Sequence, residues 1–242
     1  CAYDKTTKNF YINNDGTTAN PHGELNVIPA AAIKALIAAG PSSTGRACTG
    51  PFTGDLDGMT GPAGITTICA NYTTLNPSVA SMGLCEPKGL DLGPGSDLLV
   101  GCSQTTGFYP TGSKLFSLIF NRANVSAAPI IVPFGGGDQV AYDAVSNRYF
   151  ITGNNWTATG GKGALGATLT PSLGIIDAAT RLPVAVLRTG FGSHSVAVDG
   201  VTGQVYVPYA AVPPPPPITA SAVPRTCADG CPGFPSGGIT VF

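Results

Sequence analysis

Charge is scarce in this sequence: of 242 residues, 12 are Lys or Arg and 13 are Asp or Glu, leaving a formal net charge of -1. No basic cluster longer than a scattered pair occurs, so neither a nucleic acid nor an anionic membrane is an expected partner. Long apolar runs are missing too. No stretch approaches the roughly 18 residues that cross a bilayer as a helix. Helix signals are thin. The longest Ala-rich stretch, 28–39, is interrupted by Pro29 and closed by Gly40 and Pro41, which leaves room for one short helix at most. The sequence opens at Cys1 with neither an initiator Met nor a signal peptide, as expected of a processed product or a fragment.

What is present belongs to a folded all-β protein. Hydrophobic residues make up 43% of the chain and fall into short runs. The 33 Gly and 22 Pro punctuate them as turns. Val, Ile, Thr and Tyr crowd the segments between, as strands require. The 7 Cys exceed what a reduced cytosolic protein usually carries without a metal site, so a secreted, extracellular protein is expected. Cys227 and Cys231 have spacing that suits a local disulfide, with zinc as the rival reading. No second Cys or His pair stands at zinc-finger distance from them. Cys48 with Cys69 and Cys85 with Cys102 are the other candidate bridges, and Cys1 is left over. Sequons at Asn71, Asn124 and Asn155 are compatible with a secreted glycoprotein.

An internal repeat organises the chain. Cys1-Ala-Tyr-Asp4, Gly89-Leu-Asp-Leu-Gly93, Val140-Ala-Tyr-Asp143 and Val196-Ala-Val-Asp199 are each followed by a polar turn and a returning apolar strand, the signature of a hairpin. Asp suits the end of the first strand because its carboxylate accepts hydrogen bonds from backbone N–H groups of the turn. Spacings near 50 residues match one propeller blade. The units run about 1–45, 83–134, 135–188 and 189–242, with an insertion at 46–82 and a Pro-rich loop at 210–237. Strands at 173–177 and 183–187 complete the third unit as a four-stranded blade. Near-continuous apolar runs such as 128–134 fit sheets buried on both faces.

His194-Ser-Val-Ala-Val-Asp-Gly-Val-Thr-Gly-Gln-Val-Tyr-Val-Pro208, with Gly174-Ile-Ile-Asp-Ala-Ala-Thr-Arg181, resembles the YVTN/NHL-type β-propeller repeat. It is loosely similar to the gluconolactonase and senescence-marker-protein propellers. The resemblance implies an all-β propeller of four-stranded blades. About four units lie in this chain, the last without its outer strand, and a six-bladed ring is expected. The remaining blades would lie outside these residues or on another copy of the chain. The lactonase relatives hold a divalent cation, such as calcium, in the channel. Asp138, Asn13 and Asn154 are of the right type for this, but none matches the family motif, so no metal ligand is carried over.

Strand A lines the channel of a propeller, so residues just before it face the expected ligand site. The turn alignment puts Lys88, Asp138 and His194 at one blade position. A cation, a carboxylate and an imidazole would bind an acidic or a sugar-like ligand, a small molecule or carbohydrate, or do acid-base work with His194 as the base, or merely solvate the channel. Glycines 135–137 and 160–161 resemble phosphate cradles only in composition. Ser193 and Ser195 flank His194 without a nucleophile elbow, and His22 reads as a loop residue. The stiff 213–217 polyproline segment reads as a spacer. The expected function is a secreted binding protein with its site at the channel mouth. A metal-dependent lactonase-like hydrolase and a structural extracellular assembly protein are the alternatives.

Overall fold

The computed structural model describes residues 1–14, 24–31, 59–60, 66–69, 85–103, 114–125, 128–154, 156–157, 161, 169–211 and 237–242. These residues are all-β, in four antiparallel sheets compatible with propeller blades. Sheet 1 contains β1 (Ala2–Asp4), β2 (Asn9–Asn14), β3 (Glu24–Pro29), β4 (Met59–Thr60) and β5 (Thr66–Cys69), in the order β1-β2-β3-β5-β4. Sheet 2 is a meander of β6 (Pro87–Leu92), β7 (Asp97–Cys102), β8 (Ser117–Asn121) and β9 (Ile130–Val132). Sheet 3 repeats it with β10 (Val140–Asp143), β11 (Arg148–Gly153), β12 (Ser172–Asp177) and β13 (Leu182–Arg188). Sheet 4 has three strands, β14 (Ala197–Val198), β15 (Val205–Tyr209) and β16 (Gly238–Val241).

The stretch 46–82, set apart in the sequence as an insertion, supplies β4 and β5, and β5 pairs with β3 from Glu24 to Val27. The Thr-Thr-Ile-Cys run is short but rich in β-branched residues, so it extends the sheet and does not leave it. Of the stretch 28–39, Ile28 and Pro29 belong to β3, Ala30 and Ala31 are helical, and 32–39 lies outside the described residues.

The A-to-B turns form as the Asp positions require. Asp4 accepts from Thr6 N–H at 2.8 Å and the Thr7 hydroxyl at 3.0 Å. Asp143 accepts from Val145 N–H at 3.0 Å and the Ser146 hydroxyl at 2.6 Å. Asp199 repeats this with Val201 N–H at 2.9 Å and the Thr202 hydroxyl at 2.7 Å. Asp177 caps the β12–β13 turn likewise through Thr180. The motif is Asp-x-x-Ser/Thr-x, whose last residue (Lys8, Asn147, Arg181 or Gly203) takes a positive φ that lets the chain reverse.

Alternation along each strand then builds the stack. In β7, Leu98 and Val100 face sheet 1, where they meet Tyr11, Leu25 and Val27, while Leu99 turns toward sheet 3. In β11, Tyr149 and Ile151 face sheet 2, and Phe150 meets Val196, Val205 and Val207 of sheet 4. Burial on both faces explains why these strands lack a polar alternation. Each large side chain so enclosed contributes about 1.5–3 kcal/mol. The first strands of consecutive sheets lie side by side: β1 and β2 against β6, β6 against β10, and β10 against β14.

Candidate functional site

The Asp-capped turns lie at one end of this row of inner strands. At the other end β6, β10 and β14 begin, and β2, β7, β11 and β15 finish. The connections leaving that end are the long ones: β11 to β12 runs from Gly153 to Ser172, and β15 to β16 from Tyr209 to Gly238. Long loops carried at one end of a rigid sheet stack are the usual carriers of binding functions.

Lys88, Asp138 and His194 sit at this end, at equal offsets before Gly93, Asp143 and Asp199. Lys88 and Asp138 line one cavity of about 410 Å³ together with Cys1, Gly89, Leu90, Gln139 and Val140. That volume falls within the range of small-ligand sites. His194 is joined to the cavity through Asp138, with Nδ1 3.3 Å from Oδ2. Their side chains are 52% and 36% exposed, so water screens the pair and its contribution to stability is small. Ser195 Oγ also lies on His194 Nδ1, at 3.4 Å. A hydrolytic triad needs the acid and the hydroxyl on opposite ring nitrogens. Here they share one. Ser193 is buried and donates to the Gly190 carbonyl at 2.7 Å.

The frame around the cavity is backbone held by side chains. Asn13 Nδ2 donates to the carbonyls of Lys88 at 3.3 Å and Gly89 at 3.1 Å, tying sheet 1 to the start of β6. The Thr152 hydroxyl donates to the carbonyls of Gln139 at 3.0 Å and His194 at 2.9 Å, and Gln139 N–H reaches the latter at 2.9 Å. Gly89 is required by proximity. A Cβ there would stand 2.5 Å from the Asp138 carbonyl oxygen and 2.7 Å from Gln139 Cα. Gly135 and Gly137 have the same explanation, since Cβ atoms there would collide with Phe116 and Thr152, and Gly136 takes a φ of 84°. They are packing residues.

Cys85 and Cys102 form a disulfide with their Cα atoms 4.6 Å apart, both fully buried, at the end of β7 where Cys102 pairs with Pro87 of β6. Cys1 is exposed and reduced at the cavity. Asn124 is exposed in the β8–β9 turn. Asn71, Asn155, His22, Cys48, Cys227 and Cys231 lie outside the described residues, as does most of 210–237, and of Cys69 only the strand position is described. Among the described residues, no three His, Cys, Asp or Glu side chains converge as metal ligands.

The sequence reading missed the ion pairs at the turn end. Arg122 of sheet 2 pairs with Asp4 of sheet 1 at 2.7 Å. Arg181 of sheet 3 binds Asp97 of sheet 2 through two nitrogens, and the Tyr149 hydroxyl shares that carboxylate at 3.2 Å. Burial, then the Asp97 charge, pushes the Tyr149 phenol far above its ordinary value. Asp91 accepts from Tyr142 N–H at 2.8 Å across the sheet 2–sheet 3 junction, and its burial raises its carboxyl. Only the recurrence of one Arg in each C-to-D turn signalled these ties.

No family model and no curated protein matches this chain. Among solved structures three chains match. One of them is the Hydrazine Synthase of Kuenenia stuttgartiensis, at 15% identity and a TM-score of 0.37, over 51% of this chain and 32% of that one. A likeness of that size carries nothing about activity.

Proposed function

We propose that the four sheets are blades of a β-propeller of YVTN/NHL type, and that the chain is a secreted binding module. Its ligand is a small carbohydrate bearing a carboxylate, held at the channel mouth. The observation that carries this reading is the cavity itself: Lys88 and Asp138, from consecutive sheets, line it, and His194 from the next sheet reaches it through Asp138. Lys88 supplies the charge for a carboxylate. Asp138 and the imidazole supply acceptor and donor positions for hydroxyls. The ties from Asn13 and Thr152 hold the mouth in shape before a ligand arrives, which lowers the ordering cost of binding. The buried Cys85–Cys102 disulfide supports an oxidising compartment. The metal-dependent lactonase reading has in its support only the Oδ1 atoms of Asn13 and Asn154, buried with no hydrogen-bond partner.

Titration calorimetry with D-glucuronate and N-acetylneuraminate, and with glucose as the neutral control, tests the proposal. The two acids bind and glucose does not. Lys88→Met weakens the acids about tenfold, the loss of one charge-assisted contact of about 1.4 kcal/mol. Absence of binding by both acids, or equal binding by Lys88→Met, overturns it.

A further inference from the structure

The cavity at the channel mouth is lined by charges of both signs, and one ionisable ring stands against it. Lys88 enters through an irregularity in the strand pairing. Pro87 pairs with Cys102 and Leu90 with Val100, so Lys88 and Gly89 together oppose Gly101. An extra residue of this kind bends a strand and re-aims its side chains. Asp138 lines the same cavity from the segment before β10. One positive and one negative side chain therefore offset each other there.

His194 is the group that changes this sum. Its backbone is fixed by two donors, because its carbonyl accepts from Gln139 N–H at 2.9 Å and from the Thr152 hydroxyl at 2.9 Å. The anchorage sets the imidazole beside Asp138, with Nδ1 3.3 Å from Oδ2. The groups around the ring are Asp138, Ser195 of its own segment and, on the cavity that Asp138 lines, Lys88 of β6 and Cys1 beside β1. Asp91, further along β6, is turned to Tyr142 N–H at 2.8 Å. Carboxylates, ammonium groups and thiols ordinarily titrate outside about pH 5.5–7.5, whereas an imidazole changes charge within it.

We infer that pH regulates this site through His194: the imidazolium offsets the Asp138 carboxylate, leaves the Lys88 charge dominant at the mouth, and so tightens the hold on carboxylate ligands in mildly acidic medium. The inference rests on the acid-sugar reading of the site. Linkage makes it reciprocal. A proton that favours the ligand is favoured by it, so binding takes up protons in the range where the imidazole titrates. Both side chains are partly exposed, so water and salt reach the pair and limit the effect. One added unit charge a sugar's length from the ligand carboxylate, in a largely solvated site, raises affinity about threefold to tenfold.

Titration calorimetry of the full chain with D-glucuronate at about pH 7.5 and about pH 5.5 tests it, since the ligand carboxylate stays ionised at both. Affinity is expected to be about threefold to tenfold higher at the lower pH, with the difference shrinking in about 1 M salt. Titrations at about pH 6.5 in buffers of different ionisation enthalpy count protons, and a fraction of one is taken up per glucuronate bound. The chain has 2 His. His22→Gln, which keeps the His194 imidazole alone, retains the pH dependence and the proton uptake, and His194→Gln loses both. Should His194→Gln bind too weakly to titrate, proton uptake by His22→Gln decides. Affinity equal or lower at the lower pH, binding without proton uptake, or a pH dependence that survives His194→Gln overturns the inference and leaves acid-sugar binding standing. Absence of binding at both pH values overturns the two together.

Discussion

Arg181 reaches out of sheet 3 and clasps Asp97 of sheet 2, Nε to Oδ2 at 3.1 Å and Nη2 to Oδ1 at 2.9 Å. The pair is repeated one junction earlier by Arg122 and Asp4, so neighbouring sheets are locked by charge at the turn end and by apolar contact between. Arg181→Met leaves Asp97, 9% exposed, with the Tyr149 hydroxyl as its remaining side-chain partner. The expected loss is about 2 kcal/mol, the cost of removing hydrogen bonds to a charged group. Urea unfolding measures it. Arg181→Lys recovers less than half, since an ammonium does not reproduce the two-pronged contact. Full recovery by Lys would mean that the geometry is irrelevant.

Gly89→Ala is the second prediction. The added Cβ meets backbone of Gln139 and the Asp138 carbonyl, which no rotamer change relieves. Overfilling a tight contact costs about 1–3 kcal/mol. Because the collision is beside the cavity, acid-sugar binding falls together with stability. Gly95→Ala serves as a control for backbone strain without crowding, having a φ of 57° and nothing within 4 Å of its Cβ. It lowers stability and leaves binding as it was.

The Asp turns and the two-faced strands were readable in the sequence because both obey local rules. A carboxylate three residues before a hydroxyl makes a turn, and apolar residues at successive positions make a strand covered on both sides. The alignment of Lys88, Asp138 and His194 followed from the same repeat. The Arg122 and Arg181 ties showed in the sequence only as an Arg recurring in two turns, and their partners were not legible, since each joins residues of different sheets and depends on how those sheets stack. The role of β5 was hidden for a related reason: four β-branched or apolar residues among Gly, Thr and Pro do not announce which strand they will pair with. Gly89 reads only as the first residue of a strand until β10 is placed against it.

The disulfide gives a third test. Cys85 and Cys102 close a loop with a sequence separation of 17, and cross-linking a loop of that length removes denatured-state entropy worth about 3 kcal/mol. Replacing both with Ala is expected to lower the unfolding free energy by that amount, plus a smaller packing loss at two fully buried positions. Circular dichroism during urea unfolding measures it. A double variant as stable as the wild type would show that the bridge does not constrain the chain.

Acid sensitivity follows from the capping carboxylates. The Ser146 hydroxyl, with the N–H groups of Ser146 and Val145, holds the Asp143 carboxyl below its ordinary value against the upward pull of burial. At Asp4, burial pushes upward, and Thr6, Thr7 and the Arg122 charge outweigh it. Asp199 is lowered by Val201 N–H and the Thr202 hydroxyl. A carboxyl lowered in the folded state binds its proton more readily when unfolded. Its stabilisation is therefore complete above the unfolded value of about 4 and disappears as the pH falls through the lower folded value. Three such groups with one sign make stability fall steeply below about pH 4. Asp143→Asn is expected to be less stable than wild type by about 1–2 kcal/mol at neutral pH, because an amide cannot accept from both N–H groups and the hydroxyl at once. The two curves converge as the medium becomes acidic, since protonation removes from the wild type what the substitution has already removed. A gap that stays constant from about pH 7 to about pH 3 would show that the turn does not depend on the carboxylate charge.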